Sequence, residues 1–420
     1  MTSQGPPAKR CKVLSTQFDQ LAAFTTLVAD TGEIKAIAKY KPEDATTNPS
    51  LLYKVATLAD YEYLVNGPVN YGRDLGVGIS NAERVDVIMD KLAVQFGLEI
   101  LKHVPGYVST EVDARLSFNT EATVAKARKI MAMYEEVGVS RSRILIKIAS
   151  TWEGIRACEI LQKEGINCNM TLLFSLAQAA ACAEAGAILI SPFVGRILDF
   201  YKKKTGRASY PAAEDPGCVS VTEIYSYYKK FGYKTIVMGA SFRNKEEILQ
   251  LAGCDRLTIS PKLLEELKQS TELVERRLDA STASLFTGDK VPTDESSFRL
   301  MMNNDAMATS KLAEGIRGFI ADSEKLEAII YQKLGVPPSD TALLNDVGHV
   351  EDEFAQMARM TTLVADTGDI EAIKKFQPTD ATTNPSLIFK ASQMPRYSYL
   401  VDDAIAHGVG LPMGGFWLTE

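Results

Sequence analysis

Eight short apolar runs alternate with amphipathic stretches between about residue 25 and residue 265 of this 420-residue chain. Amphipathic stretches such as Thr120 to Val137 and Leu176 to Gly186 lie between most of the runs. This alternation is typical of α/β proteins, whose parallel strands are buried on both faces by connecting helices. Eight such units favour a closed (β/α)8 TIM barrel over a doubly wound sheet. In chain order the runs are TTLVADT, EDATTNPS, VSTEVDA, ILIKIAS, CNMTLLF, AILISPF, TIVMGAS and RLTISP.

The chain continues beyond the eight units and then repeats its own beginning. From Phe298 to Lys333 apolar residues recur at helical spacing, which predicts one or two long helices outside the eight units. The segment TTLVADTGEIKAIAKYKPEDATTNPSL at residue 25 returns as TTLVADTGDIEAIKKFQPTDATTNPSL at residue 361. At this offset of 336 positions, 26 of the 41 residues from 25 to 65 are identical to their counterparts. The repeat then breaks off, unlike a solenoid array, which stacks several units.

These patterns predict four segments. Residues 1–15 form a disordered N-terminal extension, and 16–336 form the barrel with its extra terminal helices. Residues 337–352 form a linker that contains Pro337-Pro338. Residues 353–420 are a partial repeat of 17–84, and two βα units can neither close a barrel nor catalyse alone. Three fates stay open for it: a remnant without a stable fold, packing on the barrel or a partner subunit, or exchange with the first two strands by domain swapping.

Composition excludes several classes of function. A hydrophobic fraction of 46% and a charged fraction of 24% are ordinary for a globular protein. The net charge of −7, without a basic block, argues against nucleic-acid binding. The chain contains no run of 18 apolar residues that would indicate a membrane span. The N-terminal MTSQGPPAKRCK lacks the apolar core of a secretory signal, so we expect a cytoplasmic protein. Six scattered cysteines without CxxC, and three histidines, argue for free buried thiols and against a metal site.

Lys147 is the first candidate for chemistry, because it stands alone in the apolar fourth run, Ile144 to Ala149. A lysine held in a low-dielectric interior loses its charge more easily, so we expect a lowered pKa. A neutral amine is a nucleophile that can form a Schiff base with a carbonyl. The alternative is a lysine that reaches solvent or pairs with a carboxylate. Catalytic groups of such barrels lie at the C-terminal ends of the strands, which favours the nucleophile.

Polar residues at corresponding positions on the other strands support a common site. Each one alone could form a turn or end a strand, but turn formation explains poorly why seven strands share them. Alternation along the fifth run places Asn169 and Thr171 on one face. The others are Asp30, Thr47-Asn48-Pro49, Glu111, Asp113, Ser191 and Ser241.

Two arginines follow the sixth and seventh runs, Arg196 and Arg243. Loops late in a TIM barrel often hold phosphate, and the guanidinium group makes bidentate contacts with it. A phosphorylated substrate is therefore our hypothesis. The alternative for each arginine is an ion pair with a surface carboxylate.

Taken together, these segments resemble the transaldolases of animals and many bacteria. The resemblance runs from about residue 15 to 336 and restarts at 353. It implies an enzyme without cofactor or metal that forms a homodimer and acts on sugar phosphates in the non-oxidative pentose phosphate pathway. Such an enzyme moves a dihydroxyacetone unit from sedoheptulose 7-phosphate to glyceraldehyde 3-phosphate, giving erythrose 4-phosphate and fructose 6-phosphate. The segments are VADTG, DATTNPS, VSTEVDAR, ILIKIASTWEGI, CNMTLLFS, ISPFVGRILD, TIVMGASFRN and LTISPKLL.

The resemblance also implies a role for each matched residue. Lys147 would form the Schiff base, and Asp30 would handle the proton of the hydroxyl at the breaking C–C bond. Glu111 would act as acid and base through a water held by Thr171. The implied substrate-binding residues are Asn48 and Asn169 for the dihydroxyacetone hydroxyls, Ser191 in the wall, and Arg196 and Arg243 for phosphate.

Two alternatives remain. A related aldolase of the same fold would release free dihydroxyacetone, but such relatives differ at the acid–base carboxylate, and Glu111 favours transfer. A non-catalytic metabolite-binding or scaffolding protein could also arise by duplication, although intact Lys147, Glu111 and Asp30 argue against it. Of these residues, the C-terminal repeat has counterparts only of Asp30, which is Asp366, and of Asn48, which is Asn384.

Overall fold

A computed structural model describes residues 15–76, 78–283, 286–337, 364–366, 380–382 and 385–408. The chain divides into two compact units, Met1–Ser339 and Asp340–Glu420, which are described separately. The expected extension 1–15 and linker 337–352 lie almost wholly outside the described residues. No helix among the described residues is long and apolar enough to cross a membrane.

The first unit is a closed barrel of eight parallel strands in the order of the chain. This confirms the (β/α)8 fold expected from the alternation, and each of the eight apolar runs contributes one strand. The strands are β1 Thr26–Asp30, β2 Asp44–Thr46, β3 Val108–Glu111, β4 Ile144–Ala149, β5 Cys168–Leu173, β6 Leu189–Pro192, β7 Ile236–Gly239 and β8 Arg256–Ile259.

Helices surround the barrel and extend the chain beyond it. The expected helix from residue 120 is Thr120–Glu136, and the one from residue 176 is Leu176–Glu184. The helices are α1 Gln17–Ala22, α2 Ile34–Tyr40, α3 Pro49–Ala56, α4 Glu62–Asp74, α5 Asn81–Leu101, α6 Thr120–Glu136, α7 Trp152–Lys163, α8 Leu176–Glu184, α9 Val194–Thr205, α10 Pro216–Phe231, α11 Lys245–Gln250, α12 Pro261–Gln269, α13 Ala280–Ala283, α14 Glu295–Asn304 and α15 Ala306–Leu334.

The interior of the barrel changes from apolar to polar along the strands. Val28, Leu145, Leu189 and Met238 form a small apolar cluster separate from the core between strands and helices. Side chains two positions apart in a strand share a face. Two positions beyond the first three of these residues stand Asp30, Lys147 and Ser191. The strands therefore carry an apolar plug at their N-terminal ends and polar groups at their C-terminal ends.

The long helix α15 packs across the C-terminal face of the barrel. Glu327 pairs with Arg115, which follows β3, and Asp322 accepts a hydrogen bond from Ser50 at the start of α3. A Cβ atom on Gly315 would lie 2.6 Å from a methyl group of Leu172 in β5, so the helix approaches this strand very closely. The sequence predicted helices here, and the structure shows two, of which α15 covers the polar end of the barrel.

Among the described residues of the second unit are two short parallel strands, β9 Val364–Asp366 and β10 Asp380–Thr382. Val364 pairs with Asp380 as Val28 pairs with Asp44 in the barrel, an offset of 336 positions in each strand. Two helices follow, α16 Pro385–Ser392 and α17 Ser398–Gly408. Asn384 lies outside the described residues.

Candidate active site

Lys147 lies buried at the centre of the polar end of the barrel, with 4% of its surface exposed. It is the fourth of six residues in β4, and strand register places Glu111 of β3 and Asn169 of β5 directly beside it. Its Nζ donates a hydrogen bond to the backbone oxygen of Thr47 at 3.0 Å. The same atom lies 3.1 Å from Glu111 Oε2. The lysine therefore does not reach solvent, and it lies beside a carboxylate, which is compatible with both the structural and the catalytic interpretation.

Glu111 is a buried carboxyl group with a raised pKa. Burial raises the pKa because it penalises the charged form, and the nearby positive charge of Lys147 opposes this increase. Glu111 Oε2 lies at ion-pair distance from Lys147 Nζ, but at an angle that makes no hydrogen bond. A carboxyl group that is buried and close to an amine is suited to exchanging protons there.

Asp30 is the second carboxyl group near Lys147, at the end of β1. Burial raises its pKa, whereas Lys147, a hydrogen bond from Thr46 and the charge of Arg196 lower it. Thr46 Oγ1 donates that hydrogen bond at 3.1 Å. Two carboxyl groups, the buried Glu111 and the half-buried Asp30, thus lie near one buried amine and belong to different strands.

A chain of hydrogen bonds holds Asn169 in one orientation. Ser191 Oγ of β6 donates to Asn169 Oδ1 at 2.6 Å, and Asn169 Nδ2 donates to Ser109 Oγ of β3 at 3.0 Å. All three side chains are buried. The structure therefore brings the expected residues Asn169 and Ser191 together. Ser109 was not predicted, although its place two residues before Glu111 was a usable signal.

Thr171 lies at an irregular point of β5. It is fully buried, and its hydroxyl oxygen has no partner in the part of the chain that is described. The pairing of β5 with β6 shifts register between Met170 and Leu173, and Leu172 has a left-handed backbone with φ of 51°. A leucine in this conformation stores strain, which proteins retain mainly at functional sites. The unpartnered hydroxyl is available to a water or a substrate.

Asn48 ends the second βα connection and caps helix α3. Its Oδ1 accepts a hydrogen bond from the backbone nitrogen of Leu51 at 2.9 Å. A capping asparagine uses only its oxygen, so the amide NH2 group of Asn48 can still donate to a ligand.

The two expected phosphate ligands have different surroundings. Arg196 is half-buried, with its guanidinium group 4.9 Å from the ring centre of Phe193 and 5.5 Å from that of Phe319. Burial lowers its pKa, and the charge of Arg243 lowers it further. Arg243 is exposed and pairs with Asp199 at 2.7 Å. The alternative of an ion pair thus holds for Arg243, whereas Arg196 has no ion pair among the described residues.

Some outcomes were not expected. Asp113, placed beside Glu111 by the sequence, instead caps the turn Ala114–Leu116 and pairs with Arg115, because β3 ends at Glu111. Phe319 of α15 was missed, although its ring centre lies 6.0 Å from Lys147 Nζ. Five free, buried cysteines confirm the prediction for these thiols, and Cys11 lies outside the described residues.

Comparison with known proteins extends these observations. The profile of the family Transaldolase/Fructose-6-phosphate aldolase matches residues 27–330 and again 363–411. The transaldolase of Methylobacillus flagellatus is 58% identical over 322 residues, 76% of this chain and 100% of that protein. The transaldolase of Pseudoalteromonas atlantica is 59% identical over 317 residues, 76% and 99% of the two chains. The transaldolase of Thermosynechococcus vestitus is 56% identical over 338 residues, which are 80% of this chain and 86% of that protein. The chain therefore belongs to the transaldolase/fructose-6-phosphate aldolase family.

Proposed function

We propose that this protein is a transaldolase that transfers a dihydroxyacetone unit from sedoheptulose 7-phosphate to glyceraldehyde 3-phosphate through a Schiff base on Lys147. The observation that carries the proposal is one buried amine with two carboxyl groups near it, Glu111 and Asp30. Membership of the family and relatives called transaldolase support the same reaction. A coupled assay that follows fructose 6-phosphate from the two substrates tests it, and absence of product would reject it.

Schiff-base formation needs a neutral amine and a route for protons. Lys147 attacks the ketose carbonyl carbon, and the resulting carbinolamine loses its hydroxyl group as water after receiving a proton. Glu111, 3.1 Å from Lys147 Nζ, exchanges the required protons through a water held by the free hydroxyl of Thr171. The backbone oxygen of Thr47 orients the amine of Lys147 before substrate arrives, and Asn169, hydrogen-bonded to Ser109, fixes the adjacent side of the site.

Cleavage of the C–C bond uses the iminium as an electron sink. Asp30 accepts the proton of the hydroxyl next to the breaking bond, the bond electrons form an enamine on Lys147, and an aldose phosphate leaves. The reverse steps join the enamine to the acceptor aldehyde, with Asp30 returning the proton. Asn48, Asn169 and Ser191 hold the dihydroxyacetone hydroxyls. Phe319 on the covering helix α15 lies near Lys147 and limits the access of water to the intermediate.

The two arginines give a test of phosphate binding. Replacement of Arg196 or Arg243 with alanine should raise KM for both sugar phosphates by on the order of 10- to 100-fold, because each removes charge-assisted hydrogen bonds to phosphate. Steady-state kinetics would measure this, with the exposed Arg128, which pairs with Glu164, replaced by alanine as the control. Wild-type KM in both variants would disprove the phosphate site.

An aldolase that releases free dihydroxyacetone is the alternative within this family, whose name includes both activities. The distinction lies in the fate of the enamine, which a transferase keeps until an acceptor arrives. Incubation with the ketose phosphate alone should yield at most one equivalent of aldose phosphate per site and no accumulating dihydroxyacetone. Steady release of dihydroxyacetone without acceptor would identify an aldolase instead.

We propose the domain organisation and assembly on narrower grounds. Residues 1–15 form an extension, 16–336 the catalytic barrel, 337–352 a linker and 353–420 a partial repeat of residues 17–84. All residues proposed to react with or bind the substrate lie between Asp30 and Arg243, within the first unit. A homodimer and a cytoplasmic location are supported by family membership alone. Light scattering during size-exclusion chromatography tests the first, and subcellular fractionation tests the second.

A chain that ends at residue 340 should retain the kcat and KM of the full-length protein. The physical reason is that the barrel closes with β1 and β2 from its own N-terminal segment, so no proposed functional group is lost. Parallel coupled assays on the two proteins would measure this. A truncated protein that is folded by circular dichroism but inactive would show that the partial repeat contributes to catalysis.

A further inference from the structure

Two buried carboxyl groups outside the proposed site lie close to the loop that carries Arg243. Glu247 of α11 and Asp215, the cap of α10, are 1% and 2% exposed. Glu247 Oε2 accepts a hydrogen bond from the backbone nitrogen of Arg243 at 2.7 Å. Its other oxygen, Oε1, is buried, and no described residue donates a hydrogen bond to it. The proposed mechanism uses neither carboxyl group.

A single proton shared by the pair accounts for the unpartnered oxygen. The two carboxyl groups lie within hydrogen-bonding range of each other, and such a bond forms only when one of them is protonated. Asp215 accepts hydrogen bonds from the backbone nitrogens of Gly217 and Cys218, at 2.8 and 3.4 Å, which stabilise its charge. Burial raises the pKa of Glu247 to about 7, so the proton resides on Glu247.

The pair also lies next to both segments that carry the arginines, the start of α9 with Arg196 and the loop with Arg243. A Cβ atom on Gly217 would lie 2.2 Å from the backbone oxygen of Val194, so the start of α10 contacts the start of α9 directly. Gly195, which precedes Arg196, donates a hydrogen bond to the backbone oxygen of Ser241 at 3.1 Å. A change at the carboxyl pair therefore reaches both the start of α9 and the loop of Arg243 through backbone contacts.

We propose that Glu247 is a positioning residue for phosphate binding. It holds the backbone of Arg243 in place, while its hydrogen bond to Asp215 ties the loop that carries Arg243 to the start of α10. This inference rests on the proposed function, because it assigns phosphate to Arg196 and Arg243. Glu247 itself does not touch the substrate. It acts on phosphate binding through its hydrogen bond with the Arg243 N–H group, and through Asp215, which caps the start of α10.

The pair should make phosphate affinity depend on pH. When Glu247 loses its proton, two carboxylates face each other in a buried space and repel, so the hydrogen bond between them is lost. The loop then loosens, and KM for phosphorylated substrates rises. The titratable and charged groups around the pair are Asp215, Cys218, whose Sγ donates to Glu247 O at 3.7 Å, Arg243, its partner Asp199, and Lys202 near Asp215.

Glu247→Gln tests the proposal, because glutamine accepts from the Arg243 N–H group and donates to Asp215 at every pH. Between pH 6.5 and 8.5 we expect the wild-type KM to rise about three- to tenfold relative to that of this variant, the effect of losing one hydrogen bond. The ratio of the two kcat values should stay constant over this range. The ionisation of substrate phosphate is common to both proteins and cancels in the ratio. Glu246→Gln, an exposed neighbour on α11, should behave as wild type.

The Kd of inorganic phosphate, measured by calorimetry over the same pH range, gives a second readout that needs no turnover. It should rise with pH in the wild type and not in Glu247→Gln. Equal pH dependence of KM and Kd in the two proteins would overturn the proposal. A wild type that binds phosphate in this way but shows neither transfer nor a borohydride adduct would instead reject the proposed function.

Discussion

The Lys147→Ala variant should lose transaldolase activity by on the order of 10³-fold or more, because removal of the nucleophile removes the covalent route entirely. Borohydride added with sedoheptulose 7-phosphate should trap a covalent adduct in the wild type and none in the variant. Mass spectrometry of the intact protein and of the peptide that contains residue 147 would measure both results. The reason lies in the structure: Lys147 Nζ is buried between Glu111 and the backbone oxygen of Thr47.

Loss of a buried polar side chain can also unfold a protein, so two further variants separate chemistry from folding. Lys147→Met keeps most of the side-chain volume and should be equally inactive while retaining the circular dichroism spectrum of the wild type. Lys163→Ala removes an exposed lysine that pairs with Glu159 on α7 and should leave activity and adduct unchanged. Full activity in a folded Lys147→Met protein would show that the mechanism is wrong.

The fold was predictable from the sequence because each strand carries its own signal. Every strand is a short apolar run, and the helical spacing between the runs indicates connections that return to the same edge of the sheet. The candidate site was predictable for the same reason. In a parallel barrel, polar residues near the C-terminal ends of strands converge, so Lys147, Glu111 and Asn169 are neighbours through register alone.

Features that depend on contacts distant in the sequence could not be predicted. Helical spacing showed that α15 exists, but its position over the barrel depends on long-range contacts such as Arg115 with Glu327. The left-handed backbone of Leu172 has no signal in the sequence, and its side chain packs closely against Gly315 of α15, which is distant in the chain. Sequence also treated Arg196 and Arg243 as equivalent, whereas among the described residues only Arg243 has a carboxylate partner, Asp199.

Asp113 shows where the sequence argument failed. Its spacing from Glu111 would place both on one face of a strand, but strand β3 ends at Glu111. The chain then turns, and Asp113 accepts a hydrogen bond from the backbone nitrogen of Arg115 at 2.8 Å. Aspartate often caps turns in this way, so the local preference took precedence over the alternation.

Glu111→Gln should lower kcat by about 10²- to 10⁴-fold, the usual contribution of a general acid–base group. Glutamine keeps the shape of the side chain but cannot exchange protons with Lys147 through water. The wild-type pH profile should support this role. Because burial raises the pKa of Glu111, activity that depends on its carboxylate should fall, as pH decreases, at a higher pH than an ordinary carboxyl group would give.

Asp30→Asn provides the comparison that assigns the two carboxyl groups to different steps. Asp30 acts on the breaking C–C bond, so this variant should still form the Schiff base, and borohydride should trap an adduct with the mass of the intact seven-carbon ketose phosphate. In Glu111→Gln, formation of the Schiff base itself is slow, so the yield of any adduct after a short incubation should fall. If both variants gave the same adduct in the same yield, the separate roles would be wrong. Their distinct surroundings make this unexpected, because Thr46 donates to Asp30 at 3.1 Å, whereas Glu111 Oε2 lacks a hydrogen-bond donor among the described residues.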